Sequence, residues 1–288
     1  MSGNPKQPLA LEFHQTREQV EKQFLAHLRK LTDCGGRRMS EAFCDFLTIA
    51  AISIQNPILK VCRLTDQFDE AEAKFHATLG KYADKQGAAE IFASLLAITV
   101  HALELDGTDF LGRIYMSQEI GNDSAGQFFT PNTVAELMAR MGMGDVKAAV
   151  AREACGYITI NDPACGGGVM LLASIDECLA QGVNPATQIC VYAQDIDSNC
   201  VHMTYIQLSL VGVPAMVIHG NSLSNEEWGR WFTPVWYLHR FGSKERKRLH
   251  GGNGGQADTN PIANIPASVN ADIDLSQAKQ GDLFEVGA

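Results

Sequence analysis

Tyr157-Ile158-Thr159-Ile160-Asn161-Asp162-Pro163-Ala164-Cys165-Gly166-Gly167-Gly168 decides the fold, together with the apolar run from Val169 to about Gln181 that follows it. Tyr157 to Ile160 is a short β-rich run. The three glycines end it in a turn where backbone can approach a neighbour or a ligand closely. The run after them has the length and composition of a helix. Working outward, Ile189 to Ala193 reads as a second strand ending at Asp195. A helix is expected from about Ser198 to Val211, and a third strand over Ala215 to Ile218 that ends at Gly220-Asn221. Strand, helix, strand, helix, strand in this rhythm predicts a parallel sheet with right-handed crossovers, an α/β Rossmann-like fold.

Upstream the period is helical. Val20, Phe24, Leu28 and Leu31 recur at helix spacing and stop at Asp33-Cys34-Gly35-Gly36. A second helix carries Phe43, Phe46, Leu47, Ala50 and Ile54 and is expected to end at Asn56-Pro57. A weaker third lies near Asp69 to Leu79, and Ala88 to Leu105 is strongly apolar. Asp109 to Ile120 reads as a short helix buried through Phe110, Leu111, Ile114 and Tyr115. Thr130 and Pro131 read as the N-cap and first residue of another helix, with Val134, Leu137, Met138 and Met141 as its buried stripe. The division that follows is 1–108 helical, 109–249 sheet domain, and 250–288 a polar, glycine-opened, disordered tail.

Composition bounds the partners. The 288 residues are 45% hydrophobic and carry a formal net charge of −10, which by itself argues against nucleic acid. The charge is uneven. Arg230, Arg240, Lys244, Arg246, Lys247 and Arg248 cluster after the sheet, with His239 and His250 among them, either as a solvated run or as a patch facing phosphates. The eight cysteines form no C-x-x-C pair and no histidine pair sits at zinc spacing, so no metal is expected and the thiols read as small apolar groups. No signal peptide and no apolar stretch of bilayer length are read, Ile91 to Val100 being the most apolar; no membrane contact and a cytoplasmic location are expected.

The glycine turn offers amide N–H groups beside a helix N-terminus. Asp195, at the tip of the next strand, can accept both hydroxyls of a ribose; the alternative is a helix cap, a role open to Asp197 or Ser198. The turn is neither G-x-G-x-x-G nor a Gly-Lys-Ser/Thr loop, which disfavours dinucleotides and ATP. Together the glycine turn and Asp195 favour an adenosine-containing cofactor of another kind.

The segment Asn161-Asp-Pro-Ala-Cys-Gly-Gly-Gly168 resembles the D-P-A-C-G-x-G motif of N6-adenine DNA methyltransferases, nearest to type I restriction modification subunits and small mobile-element homologues. Gly126-Gln-Phe-Phe-Thr-Pro131, Tyr192-Ala-Gln-Asp-Ile-Asp197 and His219-Gly-Asn-Ser-Leu223 are similar to three further segments of that family, in order. The resemblance implies S-adenosylmethionine as cofactor and adenine N6 in DNA as acceptor. It implies that Phe128, Phe129, Thr130 and Pro131 close over the methionine part. Asp162, Ala164, Cys165, Gly166 and Gly168 would line its amino-acid end, Asp195 would hold the ribose, Ile196 would pack on the adenine, and Asn221 would meet the adenine edge. The family has aspartate where Asn221 stands. Taken alone, Phe128 and Phe129 read first as packing between cap and sheet, and Cys165 as a small turn residue without an activating base.

One family motif has no counterpart. The N/D-P-P-Y/F segment that holds the flipped adenine is absent: the chain has no Pro-Pro, and Thr233-Pro234-Val235-Trp236 and Asn260-Pro261-Ile262 are the nearest sequences. No catalytic residue is therefore assigned. With three parallel strands the first is an exposed edge, to be covered by a short strand at Val235 to Leu238, by the helical cap, or by a second copy or separate subunit. The tail ends Gln280-Gly281-Asp282-Leu283-Phe284, similar to peptides that bind the bacterial sliding clamp. Two readings result: a DNA adenine methyltransferase, or a cofactor-binding, catalytically incomplete relative with a regulatory, anti-restriction or partner-dependent role.

Overall fold

The structure is a computed structural model and describes residues 15–117, 130–239, 241, 242 and 244. Four helices come first: α1 (Arg17–Gly35), α2 (Met39–Val61), α3 (Thr65–Leu79) and α4 (Lys85–Asp106). Thr16 caps α1 in a capping box with Gln19, and Gly36, at φ 59°, ends it in the left-handed conformation glycine tolerates. α2 runs through Pro57 rather than ending at Asn56, because Ile58 and Leu59 keep its apolar face buried for another turn. Short helices follow: α5 (Phe110–Ser117), α6 (Asn132–Gly142) and α7 (Val146–Arg152). α7 has no counterpart in the sequence reading.

The sheet has four strands in the order β1 (Ile158–Asp162), β2 (Ile189–Asp195), β3 (Ala215–Asn221), β4 (Glu226–Phe232). β1, β2 and β3 are parallel, as the sequence predicts. α8 (Val169–Ala180) and α9 (Pro185–Gln188) connect β1 to β2, and α10 (Ser198–Leu210) connects β2 to β3. β4 turns back antiparallel along β3, with Asn225 at φ 58° in the turn. Pro234–Leu238 is then a helix, α11. This corrects the expected strand at Val235 to Leu238: Pro234 opens a helical turn, and Trp236 and Tyr237 are buried within an aromatic cluster with Phe232 and Phe241. The added strand therefore extends the β3 side, and β1 remains the end of the sheet among the described residues.

One continuous core joins the helical segment to the sheet. Phe24 packs edge to face on Phe43, Phe46 and Phe110, and all four share the cluster that holds Val191, Ala193, Ile206 and Val217. α2 and α4 are each long and apolar enough to cross a membrane by length and composition, with mean hydropathy 1.4 and 1.6, which corrects the reading that no such stretch exists. Burial inside the fold gives an alternative account of that apolarity, and α2 also carries Asp45, buried and paired with Arg37 at 2.8 Å and Lys81 at 2.7 Å.

Candidate nucleoside-binding site

The tips of the three parallel strands converge at one edge of the sheet. Register places Asp162 of β1 beside Ala193, and Asp195 of β2 beside His219 of β3. The turn after β1 is fixed from both sides. The Cys165 amide donates to the Gln194 carbonyl at 3.0 Å, and the Gly166 amide to an Asp195 carboxylate oxygen at 2.9 Å. The other Asp195 oxygen accepts from the Asp197 amide at 2.9 Å. Asp197, not Asp195, caps α10, accepting from the Asn199 amide at 2.8 Å. The capping alternative for Asp195 is thereby disposed of.

The rear of the turn rests on α10. Thr204 donates its hydroxyl to the Gly166 carbonyl at 2.9 Å. The Gln207 side-chain amide donates to the Gly167 carbonyl and to Asp109, each at 2.8 Å. Its oxygen accepts from the Phe110 and Leu111 amides at 2.9 and 3.1 Å. Asp109 also accepts from the Gly112 amide at 2.8 Å, so it caps α5. Burial pushes the Asp109 carboxyl up; the Gln207 and Gly112 donors only partly offset this. Gln207 thus ties together α5, α10 and the glycine turn.

Two of the glycines answer to this packing. A Cβ on Gly167 would meet Asp109 Oδ2 at 2.8 Å and the Gly112 Cα at 3.1 Å; one on Gly168 would meet the Thr204 hydroxyl at 3.0 Å. Gly166 and Gly168 adopt φ 54° and 94°, conformations costly for any residue with a side chain. Gly168 begins α8.

Asp162 accepts from the Ala164 amide at 3.1 Å, and its carboxyl is raised by burial and by nearby Asp195. Cys165 is buried, which pushes its thiol up and leaves it unreactive, in line with a packing role. Ile196 is 56% exposed, an apolar surface immediately beyond Asp195. Asn221 uses its side-chain oxygen within its own turn, accepting from the Leu223 and Ser224 amides at 2.9 and 3.3 Å. Pro131 sits at the N-cap position of α6, one residue later in the helix boundary than expected, and Thr130 precedes it without capping. Phe128 and Phe129 lie outside the described residues, as do Gln280, Asp282, Leu283 and Phe284 of the clamp-like peptide and all the basic cluster except Arg230, His239 and Lys244. Arg230 forms an ion pair with Glu227, and Lys244 lies 4.4 Å from the centre of the Phe241 ring.

The sequence reading missed Asp109, Thr204 and Gln207. Their signal is weak: two polar residues three apart on a helix that carries several others, and an acid before a short one.

A parallel α/β unit with a glycine turn at one strand tip and an acid at the next is a Rossmann-like fold. Residues 107–243 match the family model described as N-6 DNA Methylase. That match is to part of the chain, and it is to the family that the four sequence motifs resemble. It is 25% identical over 173 residues to the type I restriction enzyme MpnII methylase subunit of Mycoplasma pneumoniae, a match covering 57% of this chain and 30% of that protein. The solved type I restriction-modification methyltransferase subunit of Streptococcus thermophilus aligns with 75% of this chain and 60% of its own, at 14% identity and a TM-score of 0.37.

Proposed function

We propose that the chain binds S-adenosylmethionine at the tips of β1, β2 and β3 and serves DNA adenine-N6 methylation in the cytoplasm. The observation that carries this is the bond from the Gly166 amide to Asp195, which fixes the glycine turn against the ribose-binding acid. The residues fit the cofactor. Asp195 keeps lone pairs for the ribose hydroxyls after accepting its two amides. Ile196 offers an exposed apolar surface to an adenine ring. Two neighbouring carboxyls, Asp162 and Asp195, favour the cationic sulfonium and ammonium groups. Ala164, Cys165, Gly166 and Gly168 would border its amino-acid end, with Phe128, Phe129, Thr130 and Pro131 closing over the methionine. Asn221 would offer the adenine edge its amide nitrogen, since its oxygen serves the turn. When bound, the cofactor supplies an electrophilic methyl group; the protein orients it and excludes water.

A second reading is that the chain binds cofactor without completing transfer. The specific observation is that, among the described residues, no parallel strand follows β3, and that the sequence has no Pro-Pro segment to hold an extruded adenine. Calorimetry with S-adenosylmethionine and its demethylated product should register binding that Asp195→Ala weakens by about tenfold or more, or at least 1.4 kcal/mol. No heat from either ligand would sink both readings. Labelled cofactor with unmodified duplex DNA then separates them: label in the DNA supports the enzyme, binding without transfer the incomplete relative.

A further inference from the structure

Two unpartnered surfaces lie on the same side of the molecule. The first is β1, which pairs with β2 alone among the described residues. Its burial alternates: Ile158 and Ile160 are half-buried, Thr159 and Asn161 exposed, while β2 and β3 are almost wholly buried. The second is α6. The sequence predicts Val134, Leu137, Met138 and Met141 as its buried stripe, and this is corrected. Ala135 and Ala139 are buried instead, against α8, and the four larger residues are 44%, 57%, 52% and 78% exposed. α8 packs in the cluster that Ile158 and Ile160 border, and α6 packs on α8, so α6 belongs to that face of the sheet. Four large apolar residues at i, i+3, i+4 and i+7 beside an open strand edge form a seat for an added strand.

The chain itself points to the occupant. Phe241 is fully buried with its ring centre 5.1 Å from that of Tyr157, the residue just before β1. The last described residues therefore stand at the foot of the open edge, and 44 residues follow Lys244. Within them Val269-Asn270-Ala271-Asp272-Ile273-Asp274-Leu275 alternates apolar and polar without a break and contains neither proline nor glycine. That is the pattern of a half-buried strand. Paired with β1, it would turn Val269, Ala271, Ile273 and Leu275 to the Ile158 and Ile160 face beneath α6. Asn270, Asp272 and Asp274 would go to the face where Thr159 and Asn161 meet solvent. The intervening residues 245–268 could extend several times the roughly 17 Å length of a five-residue strand.

We infer that residues 269–275 of this same chain dock as a fifth strand on the open edge of β1, under the apolar stripe of α6. The inference does not depend on what the nucleoside site binds. Hydrogen exchange read by mass spectrometry on the full chain tests it, in the peptides spanning 157–162 and 134–141. Wild type should show slow exchange in both, the same at low and high protein concentration. Ile273→Pro removes a ladder donor, and Leu137→Lys puts a charge in the seat. Each should speed exchange of 157–162 by about tenfold or more while leaving 189–195 unchanged. Leu137 is 57% exposed, so its lysine variant leaves the core intact, and unchanged exchange in 189–195 reports for each variant that the fold persists. Fast exchange of 157–162 in wild type, or exchange indifferent to Ile273→Pro, would overturn the inference. So would protection that grows with concentration, which would identify a second copy as the occupant.

Discussion

Replacing Gln207 by leucine removes a side chain of similar size and deletes four hydrogen bonds. The Phe110 and Leu111 amides lose their acceptor, the Gly167 carbonyl its donor, and Asp109 one of its two donors. All four groups are interior, and Asp109 is 3% exposed. Each stranded buried group costs about 1–3 kcal/mol, but the costs share one relaxation and do not add fully; about 3–5 kcal/mol is expected for the set. Against a total stability of roughly 5–15 kcal/mol that is a large loss. Urea unfolding followed by tryptophan fluorescence reads it as a fall in midpoint at constant slope. A loss under about 1 kcal/mol would refute the claim that Gln207 bridges α5 to the glycine turn.

Gln207→Glu separates the bridge from mere volume. A glutamate can still accept from the Phe110 and Leu111 amides, but it sets a second carboxyl against Asp109. The two must then share a proton. Burial already raises Asp109, and a neighbouring carboxyl raises both further. A carboxyl raised in the folded state contributes stability that is present below its unfolded value and lost as pH rises through the folded value. The variant should therefore lie nearer wild type at pH 5 than at pH 8. The same deficit at both would mean that the two side chains do not meet.

The remaining predictions concern other parts of the fold. His202 is buried against Trp231, with its pKa lowered by burial from 6.5 to about 3, so stability present above pH 6.5 should be lost as pH falls; the loss by pH 5 should be about 2 kcal/mol, and His202→Phe should flatten it in urea midpoints measured between pH 7 and 5. Gly167→Ala forces a methyl against Asp109 and Gly112 and should lower stability by about 1–3 kcal/mol with or without ligand, measured by thermal unfolding; a purely ligand-dependent effect would refute the packing role. Asp45→Ala strands Arg37, Lys81 and the Tyr82 hydroxyl around a buried gap and should cost about 3–5 kcal/mol by urea unfolding; a neutral result would show the cluster to be dispensable.

The parts of this fold legible in sequence are those set by local pattern. The parallel strands, their crossover helices and Gly36 as a helix stop all follow from apolar period and turn chemistry. What was illegible depends on distant partners. Glu226–Phe232 reads as polar because its outer residues face solvent, and only its pairing with β3 makes it a strand. Val134, Leu137, Met138 and Met141 have ideal helix spacing, yet periodicity tells which residues share a face and not whether anything covers it. At the site, Asp195 and the glycines were readable because a short motif carries them. Asp109 was not, because its partner Gln207 is 98 residues away in the chain.

That distance matters for the chemistry of the site. A glycine turn alone is pliable, and a pliable turn would spend binding energy on its own ordering. Here α10 holds it through Thr204 and Gln207, while β2 holds it through Gln194 and Asp195. Gln207 is held in turn by the first turn of α5, which packs through Phe110 on the N-terminal helices. The helical segment is thus part of the apparatus that keeps the turn in shape. The glycines at 167 and 168 serve that apparatus first, and the single N–H of Gly166 is spent on Asp195, so among these groups it is the Asp195 carboxylate that keeps lone pairs to spare.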